Sequence, residues 1–145
     1  ITTPEGGTHL AGFKNALADA GISESPEYIR QCAKDITAAR ELFLSLRKEG
    51  LEFDAVITSD DSLAAGAVKY ANTMGISIPD ELSIIGYNNS ILSLCSDPEL
   101  TSIDSKVEAL CTTTVNTLMG VFSGGNVPSR TTIAADLIKR ETTNF

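Results

Sequence analysis

The sequence predicts an α/β fold, a doubly wound and mostly parallel sheet with flanking helices. Three observations predict it. Two short apolar runs, residues 53–58 and 82–87, flank an amphipathic stretch, the strand–helix–strand order that joins parallel neighbours. Both runs have few polar breaks, as strands covered on both faces have. Each ends in a polar cluster, Ser59, Asp60 and Asp61 after the first and Asn88, Asn89 and Ser90 after the second. Ligands of open parallel sheets sit at the carboxyl ends of the strands, so the two clusters are expected to face one crevice.

The elements follow in order. Residues 1–7 contain Pro4, Gly6 and Gly7 and read as a loop. Thr8 is placed to cap a helix on which Leu10, Phe13 and Leu17 share a face, ended by Gly21. After Pro26, residues 28–33 read as a short strand. Asp35 or Thr37 then caps a helix with Ala39, Leu42, Phe43 and Leu46 on one side, closed by Gly50. The strand 53–58 leads into a helix over 61–74, with Leu63, Ala64, Ala67, Val68, Ala71 and Met74 along one side and Gly75 at its end. Pro79 and Asp80 turn the chain into the strand 82–87. Residues 88–100 show no periodicity, and Pro98 points to an irregular connection. A short extended segment over 101–104 precedes a long helix over 106–122, striped by Val107, Leu110, Cys111, Val115, Leu118 and Phe122. Residues 131–139 alternate, with Ile133, Ala135 and Leu137 on one face, and read as a half-buried strand.

The length of 145 residues suits one ordinary core. A net charge of −8 argues against binding a phosphate backbone, which needs a basic face. Cys32, Cys95 and Cys111 are an odd, widely spaced set, and with one histidine they offer no zinc spacing. Such thiols fit a reducing compartment better than a disulfide scaffold. No apolar run is long enough to span a bilayer and no leader is visible at Ile1, so the expected location is the cytoplasm.

Asp60 and Asp61 lie between a strand end and a helix start, where carboxylates often do no more than cap the helix. The functional reading is that Asp60 accepts hydrogen bonds from ligand hydroxyls. A hard cation such as magnesium held by both carboxylates is a second reading. Asn88 and Asn89 suit a turn, yet an amide also offers an acceptor and two donors to vicinal hydroxyls. Together with Asp60 they favour a neutral, polyhydroxylated ligand over a phosphate. His9, alone in a helix's first turn, reads as a solvent-facing side chain rather than a catalyst. No serine or cysteine has an identifiable partner base, and no glycine-rich phosphate cradle is present. Neither catalysis nor a cofactor is expected.

These stretches, taken together, resemble the effector-binding core of lactose-repressor-type transcriptional regulators, which share the type I periplasmic-binding-protein-like fold. The resemblance rests on His9-Leu10-Ala11-Gly12-Phe13 with Ala16-Leu17, and on residues 53–61 with 64–67. It extends through Ile78-Pro79-Asp80-Glu81-Leu82 to Gly86-Tyr87, then Pro98-Glu99-Leu100-Thr101, and closes with Leu137-Ile138-Lys139-Arg140. It implies an incomplete two-lobed unit, with residues 1–103 as the C-terminal lobe lacking its first strand. Residues 104–145 would be a crossover, helix and strand belonging to the N-terminal lobe. The effector would lie between the lobes against Asp60, Asn88, Asn89, His9 and Ile36.

Family members usually carry an arginine at the place of His9, an aspartate at that of Asn88 and often an aromatic ring at that of Ile36. Asp60 matches the family pattern, while the other three depart from it. The wording Gly86-Tyr87-Asn88-Asn89-Ser90 resembles regulators of maltose operons, implying a maltose-like saccharide. The resemblance further implies a homodimer that reaches operator DNA through a helix-turn-helix segment outside these residues, with no membrane partner. An isolated piece of this kind is expected to expose apolar surface and self-associate. The rival readings are a solute-binding protein for sugar transport and a metal-dependent α/β enzyme using Asp60 and Asp61.

Overall fold

The computed structural model describes residues 1–2 and 7–145. Four strands form one sheet in sequence order: β1 (Ala55–Ile57), β2 (Ser83–Tyr87), β3 (Thr101–Asp104) and β4 (Asp136–Ile138). The first three run parallel, with Val56 opposite Ile84 and Gly86 opposite Ser102. β4 runs antiparallel to β3, with Ile103 opposite Leu137. The helices are α1 (Gly7–Asp19), α2 (Ile36–Lys48), α3 (Asp61–Met74), α4 (Ile91–Cys95) and α5 (Val107–Phe122).

The β1–α3–β2 unit organises the core. Asp60 caps α3 by accepting from the Ser62 amide, and Gly75 ends it at φ 69°, a left-handed conformation that costs glycine little. α3 packs against α2 at Gly66, where a Cβ would lie 2.5 Å from the Ala39 Cβ and 2.8 Å from the Ile36 carbonyl oxygen. That close approach needs a residue without a side chain. The core then fills with Phe43 and Leu46 from α2, Val68 and Tyr70 from α3, and Val56, Ile84 and Leu100 around the sheet. Phe43, Phe53 and Tyr70 form a ring cluster with centroids 5.5 to 6.1 Å apart. Such pairs contribute about 0.5–1.5 kcal/mol each beyond their burial.

The helices over 36–48, 61–74 and 107–122 and the strands β2 and β3 lie where the sequence puts them. Several expectations need correction. The strand expected over 28–33 is a 3-10 turn, Pro26–Tyr28, followed by a single bridge between Gln31 and Thr2. Arg30 and Gln31 interrupt the apolar pattern there, and among the described residues this bridge is the pairing seen. Thr8 lies inside α1. Of the loop expected over 1–7, residues 3–6 fall outside the described residues. Ile1 runs beside β1, its ammonium donating to the Ile57 carbonyl and its carbonyl accepting from the Ser59 amide. β1 is covered on one face only: Val56 is buried, while Ala55 and Ile57 are exposed. The irregular stretch after β2 contains a short helix, α4.

The last strand is also shorter than expected. Only Asp136–Ile138 pair, because β3 ends at Asp104 and offers residues before 136 no partner. That pairing puts β4 in the sheet of β1–β3. The tail beyond it is locked in. The Thr142 hydroxyl donates to the Ile84 carbonyl and accepts from the Thr101 amide, and Arg140 donates to the Leu100 carbonyl. Thr142 has no exposed surface. α5, by contrast, buries no residue, and its start is tied to β4 by the Lys106–Asp136 ion pair at 2.7 Å.

Candidate functional site

Parallel pairing brings the carboxyl ends of β1 and β2 to one edge, and with them Asp60 and Asn88. The two side chains are bonded: Asn88 Nδ2 donates to Asp60 Oδ2 at 2.8 Å. A carboxylate can only accept, so the amide's nitrogen faces Asp60 and its oxygen faces elsewhere. Asp60 is 5% exposed, and its other oxygen, Oδ1, accepts from the Ser62 amide at 2.9 Å and the Ser62 hydroxyl at 2.6 Å. Lys34 Nζ completes the set at 2.5 Å from Oδ2. Burial disfavours the charged form of Asp60, but the Lys34 and Ser62 hydrogen bonds and the Lys34 charge outweigh it. The carboxyl sits below its ordinary value.

Asp61 points the other way. Its carboxylate, 1% exposed, accepts from the Ser90 amide at 2.6 Å, the Ser90 hydroxyl at 2.8 Å and the Ser102 hydroxyl at 2.6 Å. It joins the start of α3 to the loop after β2 and to β3. Gly86 makes room for it, since a Cβ there would overlap Asp61 Oδ1. The adjacent carboxylates therefore have separate partners and form no shared cradle. Among the described residues no group of three metal-ligating side chains gathers.

Asn88 and Asn89 both have positive φ, 97° and 48°, a region that asparagine tolerates better than most residues. The turn-making role is thus present at Asn88, whose backbone amide also extends the ladder to the Ile103 carbonyl. Asn89 is engaged elsewhere: its Oδ1 accepts from Arg140 at 2.6 Å, its Nδ2 donates to Asp104 at 3.4 Å, and its backbone amide donates to the Ser102 hydroxyl. His9 is exposed, and its ring lies 4.2 Å from that of Tyr87, which places it beside the end of β2. Ile36 opens α2 half-buried, and its backbone carbonyl faces Gly66 of α3.

Asn88 and Asn89 also line an open cavity of about 730 Å³, with Asp104, Lys106 and the first turns of α5, including Glu108 and Thr112, on its other side. A smaller hollow of about 140 Å³, bounded by Arg47, Phe53, Tyr70 and Glu81, contains none of these residues. Lys34 is the member of the cluster that sequence reasoning missed. It is a single charged residue in the loop before a helix cap, and no spacing marks it. Of the partners of Asp61, Ser90 follows β2 and Ser102 lies within β3, and no local spacing marks either as its donor.

A family model described as a periplasmic binding protein-like domain matches residues 3–143. A transcriptional regulator of the helix-turn-helix type from Lachnoclostridium phytofermentans is 48% identical over 136 residues, 94% of this chain and 41% of the relative. The structure of a LacI-family sugar-binding transcriptional regulator from Escherichia coli, complexed with phosphate, superposes with a TM-score of 0.88 at 26% identity. It covers 99% of this chain and 54% of that one. A cellobiose complex of the regulator CelR has the same TM-score at 21% identity, covering 99% and 45%, and shows the fold alone. The chain spans 38% to 42% of the length of the regulators it matches from L. phytofermentans and the two from E. coli named AscG and GalR. These relatives and neighbours are transcriptional regulators, not enzymes.

Proposed function

The chain belongs to the periplasmic-binding-protein-like domain family of LacI-type transcriptional regulators, and from that premise we propose that it senses a small saccharide at the carboxyl edge of β1 and β2. The observation that carries the proposal is the Asp60–Asn88 pair, joined side chain to side chain where the edge opens into a cavity of about 730 Å³. Such a cavity has the size of a small-molecule site, and its lining mixes amides, hydroxyls and carboxylates. That mixture suits hydroxyl groups. His9 lies against Tyr87 at the end of β2.

On this reading α5, which leaves the sheet and buries nothing against it, is part of a facing lobe, and the effector is held between the two. The preference of the saccharide for one lobe arrangement then shifts the spacing of paired DNA-binding heads in a homodimer. Such a regulator works in the cytoplasm. No helix among the described residues is long and apolar enough to cross a membrane.

A maltose-like sugar is the specific proposal for the effector, from the Gly86–Ser90 wording. A thermal-shift screen of the full regulator against mono- and oligosaccharides tests both levels. Stabilisation by maltose or maltotriose supports the specific proposal, stabilisation by another sugar supports only the general one, and no response from any sugar refutes both. Asn88→Gly, which keeps the positive φ while removing the amide, is expected to abolish the shift.

A further inference from the structure

We infer that Lys34, rather than Asp60, makes the direct contact to the ligand, and that Asp60 acts as a positioning residue. The inference deepens the saccharide reading and rests on it. A carboxylate has about four lone-pair directions. In Asp60 all four are taken: two by Ser62 on Oδ1, and one each by Asn88 and Lys34 on Oδ2. A ligand hydroxyl can donate to Asp60 only by displacing one of these. Two of the donors come from Ser62 at the buried start of α3, and the third is the Asn88 amide.

Lys34 differs from them. Its side chain is 61% exposed, and among the described residues Asp60 is its ion partner, leaving two ammonium N–H bonds for another acceptor. Asn88 is its complement. With the amide nitrogen turned to Asp60, the amide oxygen is presented as an acceptor. A donor and an acceptor anchored on the same Asp60 oxygen match a hydroxyl group, or a vicinal pair, that accepts from Lys34 and donates to Asn88.

The charge balance selects a neutral ligand over an anion. Lys34 is already offset by Asp60, Lys106 by Asp136, and Asp104 and Glu108 add negative charge to the cavity wall. An acidic sugar or a sugar phosphate would meet no uncompensated cation from this group.

The test is calorimetric binding to the full regulator, with maltose, cellobiose, glucose and glucose 6-phosphate as probes. A neutral probe is expected to bind the native protein. Lys34→Met is expected to weaken it about 10- to 100-fold, the effect of losing a hydrogen bond to a charged group. Lys34→Arg, which keeps a charged donor, is expected to recover most of the loss. In an Asp60→Asn background Lys34→Met is expected to add little, because Asp60 acts through Lys34. Lys34 is exposed and its variants lose only the pair with Asp60, a loss that urea denaturation reads separately from binding. Unchanged or tighter binding by Lys34→Met, with Asn88→Gly inactive, would overturn the inference alone: Lys34 would then be a plug that the ligand displaces from Asp60. Tighter binding of glucose 6-phosphate than of glucose would overturn the neutral-ligand assignment. Silence from all probes, or full binding by Asn88→Gly, would remove the saccharide reading itself.

Discussion

Asp61 gathers three donors on one buried carboxylate. Asp61→Ala leaves those donors unpaired, and urea denaturation is expected to show a loss of about 3 kcal/mol. Gly86→Ala attacks the same point from the other side, and the overlap with Asp61 is expected to cost about 1–3 kcal/mol. Asp60 carries the acid sensitivity. Its carboxyl is held below 3.8, so its pairs contribute stability that is present above that pH and disappears as the pH falls through the lower folded value. An acid titration followed by circular dichroism is expected to show the effect below about pH 4. Asp60→Asn is expected to flatten that limb, and an unchanged limb would show that Asp60 gains nothing from Lys34.

Among the elements, α2 and α3 depend on one close crossing. Gly66→Ala pushes a methyl into Ala39 and the Ile36 carbonyl, and is expected to destabilise the chain by about 1–3 kcal/mol. Gly12→Ala makes a useful control, because a Cβ there meets nothing within 4 Å. It lies in mid-helix, and thermal melting is expected to show no loss or a gain of about 0.5–1 kcal/mol. The cap of α2 behaves conventionally, with the Asp35 side chain accepting from the Ala38 amide. α5 is the exception among the long helices. It has a clear apolar stripe, yet Leu110, Val115, Leu118 and Phe122 remain at least half exposed. The stripe establishes that a helix forms there and says nothing of its partner.

At the scale of the whole molecule, exposed residues on α5 and α4, with Phe122 at 75% and Ile91 at 70%, leave the chain with an uncovered apolar surface. The chain on its own is expected to self-associate, and light scattering after size exclusion is expected to show a mass above 15.3 kDa that rises with concentration. Val115→Lys with Phe122→Lys is expected to shift it toward the monomer. A clean monomer of the unaltered chain at high concentration would contradict the reading of α5 as a docking element.

The β1–α3–β2 unit and its two polar ends were legible in the sequence because each depends on neighbours within a turn or a strand. Apolar runs, Asp60 before a helix and Gly75 after it are local signals, and parallel order then places Asp60 and Asn88 on one edge. The family wording was legible too, since it spreads over most of the chain. What folding in three dimensions added comes from residues distant in sequence. Lys34 reaches Asp60 across α2, Ser102 reaches Asp61 across β2, and Arg140 reaches Asn89 from the tail. β4 joined this sheet because β3 still had an unpaired edge to offer. Periodicity records which side of an element is apolar, but hydrogen-bond partners depend on which backbone passes alongside, and no local pattern encodes that.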